Sequence, residues 1–314
     1  MKNILIGLGI LILLISPFFG QVDIGFGNIF DAKSMDFQIF WDLRIPRTLL
    51  AFGVGAILAL AGLVFQTVFR NPMSTPFTLG VASGATLFTA LGIVLGFYMY
   101  TSLFAFFGAS LTVIILFIVA SRFRTYETSS LLLVGIALSF FYSAALMVLF
   151  YVSDLQESYE IVRFTMGSLD IVGFDDVYVV GLAAVFIVIL VQRYQYEIKL
   201  LLTSYEFAHL KGINVKKTNT VLLLSVSLVV GVCVSITGPI GFVGLIIPHI
   251  VKTITKQSAH KLILAIFFSG GVFLVLCDLI ARNLGTVSDI PIGVVTSFVG
   301  APFFIYLIVK RSKV

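Results

Sequence analysis

Asp278 and Arg282 stand four residues apart in the run CDLIAR, inside an otherwise apolar stretch of this 314-residue chain. That spacing puts both side chains on one helix face, where they can neutralise each other. An ionisable group in such a stretch is a functional candidate by default, and a local ion pair that makes Asp278 tolerable is the simpler account. Two more arginines, Arg44 and Arg47, sit in Leu43-Arg44-Ile45-Pro46-Arg47. A third feature is GPIGFVGLIIPHI over 238–250, which glycine and proline prevent from forming one regular helix. Interrupted backbone of this kind lines an aqueous path or is buried in protein, so Gly241, Gly244 and Pro248 are pathway candidates; tight packing of small residues is the competing reading. His249 alone reads as a packing residue.

Much chemistry is missing. No G-x-x-x-x-G-K-[ST] phosphate cradle occurs, the three histidines are scattered, and Cys233 and Cys277 both lie in apolar runs. No catalytic constellation, cofactor or metal site is expected, so the chain reads as no enzyme. A run of buried acids or histidines suited to a proton-coupled pump is also lacking.

The elements that must hold these residues are membrane helices. The chain is 59% hydrophobic and 11% charged, with mean hydropathy +1.12. A soluble domain carries about 25% charged residues, so soluble enzymes and nucleic-acid binders are excluded and the lipid bilayer is the expected solvent. Apolar runs long enough to cross, roughly 20 residues each, fall near 3–19, 48–69, 77–97, 101–120, 130–151, 176–192, 219–237, 262–281 and 291–309, with a shorter tenth at 240–252. The first follows Lys2 but lacks a small-x-small cleavage site, so it is read as a retained helix rather than a signal peptide. The expectation is an all-α integral membrane protein of about ten transmembrane helices, forming one transmembrane domain over 1–314.

Charge orients it. One set of loops holds 15 of the 20 basic residues and three acids; the other holds five basic residues and eleven acids. The resulting +12 against −6 places both termini in the cytoplasm by the positive-inside rule. Two outer segments are long, about 20–47 and 152–175. The longest inner loop, about 193–218, has apolar residues at helical spacing, a polar start at Thr203-Ser204 and a helix stop at Gly212. It is either a surface-lying amphipathic helix or a helix offered to a soluble partner. Gly55, Gly62 and Pro72 recur as Gly231, Gly238 and Pro248 at a constant offset, a hint of an inverted repeat.

Read together, LRIPR (43–47), GVGAILALAGLVFQTVFRNP (53–72), LGVASGA (79–85), GPIGFVGLIIPHI (238–250), CDLIAR (277–282) and IPIGVVTSFVGAPFFIYLI (290–308) resemble the FecCD family of ABC importer permeases over nearly the whole chain. The resemblance implies a vitamin B12 permease-like, type II ABC importer fold in the bacterial plasma (inner) membrane. It implies two cytoplasmic ATP-binding subunits, a second permease subunit (homodimer or paralogue) and an extracytoplasmic substrate-binding protein. A ferric siderophore is the implied substrate, with cobalamin or haem as alternatives; an ion-coupled secondary transporter is the reading from another class. Residues from Ser204 to Val215 match the coupling segment that docks on the ATPase, namely Ser204, Glu206, Ala208, Leu210, Gly212 and Val215. The family's usual Leu before that Gly is Lys211 here. Arg44, Arg47 and Arg282 match arginines that pair with acids on the binding protein. Ser129 and Ser130 fall in the region of the cytoplasmic gate. The acid that the family commonly shows after Asn71-Pro72 is absent, Ser74-Thr75 standing there instead.

Overall fold

The computed structural model describes residues 2–122, 128–254, 259–285 and 289–311. Its described residues form helices and connecting turns: α1 Lys2–Ile15, α2 Met35–Gln38, α3 Ile45–Val68, α4 Val81–Val94, α5 Thr101–Arg122, α6 Thr128–Val152, α7 Leu155–Met166, α8 Asp175–Arg193, α9 Gln195–Thr203, α10 Tyr205–Leu210, α11 Val215–Thr237, α12 Val243–Ile254, α13 Ala259–Leu284 and α14 Ile292–Arg311. Among them six stretches are long and apolar enough to cross a bilayer, and four shorter apolar helices (Gly7–Phe18, Val81–Val94, Val243–Ile254, Ile292–Tyr306) bring the total to ten. The apolar runs of the sequence thus became the helices, because a lipid-facing backbone has no other way to satisfy its hydrogen bonds.

α3 is the axis of the bundle. Nearly every residue from Thr48 to Val68 is buried, and α8, α11, α12 and α13 all pack on it. Small residues allow this closeness. A Cβ added to Gly55 would lie 2.4 Å from the Gly270 carbonyl oxygen, and one on Gly62 would lie 1.8 Å from that of Gly244. By contrast α6 and α8 keep most of their apolar side chains on the outside of the bundle, as helices facing lipid or another subunit must.

Two segments expected as loops are partly helical. Residues 35–44 form α2 and a wide, π-type stretch, Ile39–Arg44, that runs straight into α3. Pro46 does not break it, because proline is tolerated in a first helical turn. The carbonyl of Asp42, four residues before Pro46 and without its usual donor, accepts the Gly173 N–H at 2.8 Å. Residues 155–166 form α7, whose start is fixed by a capping box: Glu157 N–H donates to Asp154 Oδ1 (2.7 Å) and Asp154 N–H donates to Glu157 Oε2 (3.0 Å). The search for membrane spans passed over α7 because it is only twelve residues long and half of them are polar.

The hinted repeat is not kept at every one of its residues, although a long helix followed by a short one recurs as α3–α4 and α11–α12. Gly62 lies inside α3, whereas Gly238, its supposed equivalent, ends α11 at φ +66°; Pro72 follows a helix and Pro248 lies within one.

Candidate functional site

At the Arg47 end of α3, chain segments far apart in sequence meet. Arg47 Nε donates to Asp278 Oδ1 at 2.8 Å, and its Nη1 donates to Asp170 Oδ1 at 2.8 Å and Asp289 Oδ2 at 2.5 Å. Arg282 Nε lies 3.0 Å from Asp278 Oδ2, while its Nη2 donates to Ser16 Oγ at 2.8 Å. The Asp278–Arg282 pair expected from spacing is therefore present, but Arg47, 231 residues away, is the second partner of the same carboxylate. Two guanidinium groups thus pair with one wholly buried carboxylate, Oδ1 through a hydrogen bond from Arg47 and Oδ2 through charge proximity to Arg282 alone.

Arg44 is held differently. Its Nη1 donates to the carbonyls of Pro17 (3.3 Å) and Phe18 (3.2 Å), and its Nη2 to that of Val22. Arg44 and Arg282 are only 6% and 4% exposed. Together with Arg47, Arg163, Asp170 and Asp289 they line one crevice of about 550 Å³. The three arginines singled out in the sequence are thus neighbours in space, turned into a shared crevice rather than outward. Asp170, Asp289 and Arg163 were missed. Asp170 and Arg163 lie in the charged 152–175 segment, which gave no partner for either, and Asp289 lies alone in the connection between α13 and α14.

In the middle of the bundle, residues 238–242 leave helical geometry, with Gly238 and Phe242 both at φ +66°. A Cβ on Gly238 would lie 2.3 Å from the Phe164 carbonyl oxygen, so only glycine fits there. The three residues singled out in the Gly/Pro-rich segment are placed differently. Gly241 opens onto a cavity of about 730 Å³, lined mainly by apolar side chains including Phe77, Met166, Val294, Phe298 and Pro302. Gly244 and Pro248 are instead buried within α12, Gly244 against α3. Pro248 has no N–H to give the carbonyl four residues earlier, that of Gly244. Gln66 of α3 supplies the donor, its Nε2 lying 3.1 Å from Gly244 O and 3.3 Å from Leu245 O. Nothing in the spacing announced Gln66, beyond its being an amide in a run of apolar residues.

At the opposite end, the loop at 193–218 folds as α9 and α10, split at Ser204, whose backbone is extended. Ser204 caps α10 by accepting the Phe207 N–H at 3.0 Å. The helix closes in a Schellman turn: Ile213 N–H donates to Ala208 O (3.1 Å) and Gly212 N–H to His209 O (2.9 Å), with Gly212 at φ +81°. Ala208 and Ile213 pack with Leu200 and Leu201 in a small core of their own, with Val215, the first residue of α11, against it. Glu206, Phe207 and Leu210 are left exposed, Leu210 by 82%. The helix start and stop read from the sequence are confirmed, and a surface helix with an uncovered apolar edge results. Ser129 and Ser130 open α6, but their side chains lie outside the described residues.

A model of the FecCD transport family matches residues 8–310. The chain belongs to the FecCD transport family. It is 31% identical to the hemin transport system permease protein HmuU of Yersinia pestis, covering all of this chain and 96% of that one. It is 34% identical to the vitamin B12 import system permease protein BtuC of Vibrio cholerae, over 89% of this chain and 85% of the relative. In fold it is similar to a metal-chelate type ABC transporter solved in an inward-facing conformation, at a TM-score of 0.87 and 28% identity, over 99% of this chain and all of that one. This FecCD chain is therefore an all-helical integral membrane permease of the ABC importer class.

Proposed function

We propose that this permease carries a ferric siderophore across the plasma membrane, driven by two cytoplasmic ATP-binding subunits and supplied by an extracytoplasmic substrate-binding protein. The observation that carries the reading is α10. It is a capped, Schellman-terminated helix on its own apolar footing, presenting Phe207 and Leu210 to whatever lies beyond the bundle. An apolar edge of this size on a cationic face fits a docked soluble subunit. The charge bias puts this end and both termini in the cytoplasm, and the arginine crevice outside.

The crevice is then the docking place for acidic groups of the binding protein. Arg44, Arg47 and Arg282, with Arg163, outnumber the acids that line it, and opposite charge fixes register and speeds encounter. The cavity at Gly241 forms one wall of the path, completed by a second permease subunit. Its apolar lining offers a chelate few polar contacts, which suits passage more than retention.

The decisive experiment is uptake of radio-iron-labelled ferric hydroxamate into proteoliposomes holding the chain with its ATPase subunits and binding protein. ATP-dependent uptake that excess haemin or cobalamin does not suppress is expected. Suppression by either would reassign the cargo to that chelate. Uptake driven by an ion gradient without the ATPase would replace the importer reading with a secondary transporter.

A further inference from the structure

α10 is tied to α3 by a small set of contacts that nothing above assigns a role. The Tyr205 hydroxyl donates to the carbonyl of Val68, the last residue of α3 and one of the acceptors a helix end leaves open. Arg70, two residues beyond, stacks its guanidinium over the Tyr205 ring at 5.5 Å and reaches the Thr203 carbonyl at 3.5 Å. The backbone at Arg70 is left-handed, φ +48°, a conformation that costs a non-glycine residue free energy. That turn ends α3 and aims the arginine at the α9–α10 junction.

The other end of the same helix leads into Arg44 and Arg47, the crevice residues. Between the two ends α3 has little freedom to slip. The Gly55–Gly270 and Gly62–Gly244 approaches bring backbone to backbone, and Gln66 pins the carbonyl freed by Pro248. Twenty-four residues at 1.5 Å rise make a rod of roughly 36 Å, a bilayer's thickness.

We propose that Arg70 and Tyr205 form a latch joining the coupling segment to α3, so that a displacement of α10 arrives at the Arg44–Arg47 crevice as a movement of one rigid helix. The inference rests on the importer reading. The two residues are positioning residues: neither meets cargo or nucleotide, and each acts by making α3 follow α10.

The test uses the complete transporter in proteoliposomes, with Tyr205→Phe, Arg70→Gln and Arg70→Gly. All three should still capture the ATPase subunits and hydrolyse ATP, while substrate moved per ATP falls between about two-fold and about thirty-fold, the span usual for residues that carry coupling. Arg70→Gly separates the latch from a structural role, since glycine relieves the left-handed backbone and keeps the thermal midpoint while still lowering the coupling ratio. Spin labels on Leu43→Cys, which lines the crevice, and on Leu155→Cys, at the exposed start of α7, report the far end. Their separation should change on ATP binding in the parent and much less in Tyr205→Phe. Unaltered transport per ATP together with an unaltered distance change in Tyr205→Phe and Arg70→Gln would overturn the latch. A parent chain that captures no ATPase subunit would overturn the importer reading and the latch with it.

Discussion

Gln66 gives its Nε2 hydrogen to the Gly244 carbonyl, the acceptor that Pro248 leaves without a backbone donor. The relationship joins α3 to α12 where the two backbones are already in contact at Gly62. It also explains how a buried proline can sit inside a twelve-residue helix: a neighbouring side chain restores the lost bond. Gln66→Leu should therefore destabilise the protein by about 1–3 kcal/mol, the cost of stranding a buried acceptor. In a Pro248→Ala background the helix can supply its own N–H to Gly244, so the same Gln66→Leu change should cost markedly less. Thermal unfolding in detergent of the four members of this cycle measures the difference. Equal costs in both backgrounds would show that Gln66 does not serve the proline-freed carbonyl.

Glycine substitutions should sort by what surrounds them. Gly62→Ala puts a methyl group 1.8 Å from the Gly244 oxygen, closer than any side-chain adjustment can relieve. It should force α3 and α12 apart and largely abolish folded protein in the membrane. Gly212→Ala meets nothing within 4 Å and is penalised only through its φ of +81°, about 1–2 kcal/mol. Size-exclusion profiles and melting midpoints of the two variants provide the contrast; similar behaviour would refute the packing account of Gly62.

The fold was legible because its main signal is length and apolarity, and ten apolar runs became ten apolar helices within a few residues. The end signals of α10 were also local: Ser204 and Gly212 sit where capping chemistry wants them. What stayed hidden was relational. Spacing announced Asp278 with Arg282 but could not bring Arg47 to the same carboxylate, because that contact joins α3 to α13 across the packed bundle. The helical character of 35–44 was masked by Pro46, whose missing bond is made good by a distant Gly173. Gln66 looked like an isolated amide until its acceptor was in view.

The carboxylate of Asp278 depends on both arginines. Removing Arg47 leaves it one partner and releases Asp170 and Asp289, so Arg47→Ala should cost about 3–5 kcal/mol, as breaking a buried pair does. Pairing that change with Asp278→Asn, which removes the orphaned charge, should recover a substantial part of the loss. A double variant no more stable than Arg47→Ala alone would mean that the charge of Asp278 is not what Arg47 serves. Stability in detergent at fixed pH is the measurement.

Docking at the crevice is best probed where the fold is not at stake. Arg44 and Arg282 are buried, so reversing either to Glu combines lost attraction with lost folding. Arg163, whose side chain is 55% exposed and whose nearest acid is Asp170 at 3.8 Å, can be reversed without a buried penalty. Arg163→Glu should weaken capture of the binding protein at low ionic strength, and the deficit should shrink at high salt as the charges are screened. Surface plasmon resonance across a salt series reads both effects. Capture that is unaltered at low salt would remove Arg163 from the docking surface.

Capture of the ATPase subunits should depend on the uncovered edge of α10. Leu210 is almost fully exposed, and Phe207 beside it is open enough to meet a partner. Neither supports the small core beneath, which is built from Leu200, Leu201, Ala208 and Ile213. Leu210→Asp and Phe207→Ala should thus leave the melting midpoint of the isolated chain within about 0.5 kcal/mol equivalent of the parent, while co-purification of the ATPase subunits drops sharply. Gly212→Val should act differently: it disturbs the left-handed turn that ends α10, so the helix loses its fixed orientation and ATP hydrolysis runs without uptake. Ala208→Asp, which buries a charge in the core under α10, should lose both stability and capture. If Leu210→Asp and Phe207→Ala retained full capture, the ATPase would have to engage some other part of the 193–218 segment. The exposed edge of α10 would then be a membrane-surface face.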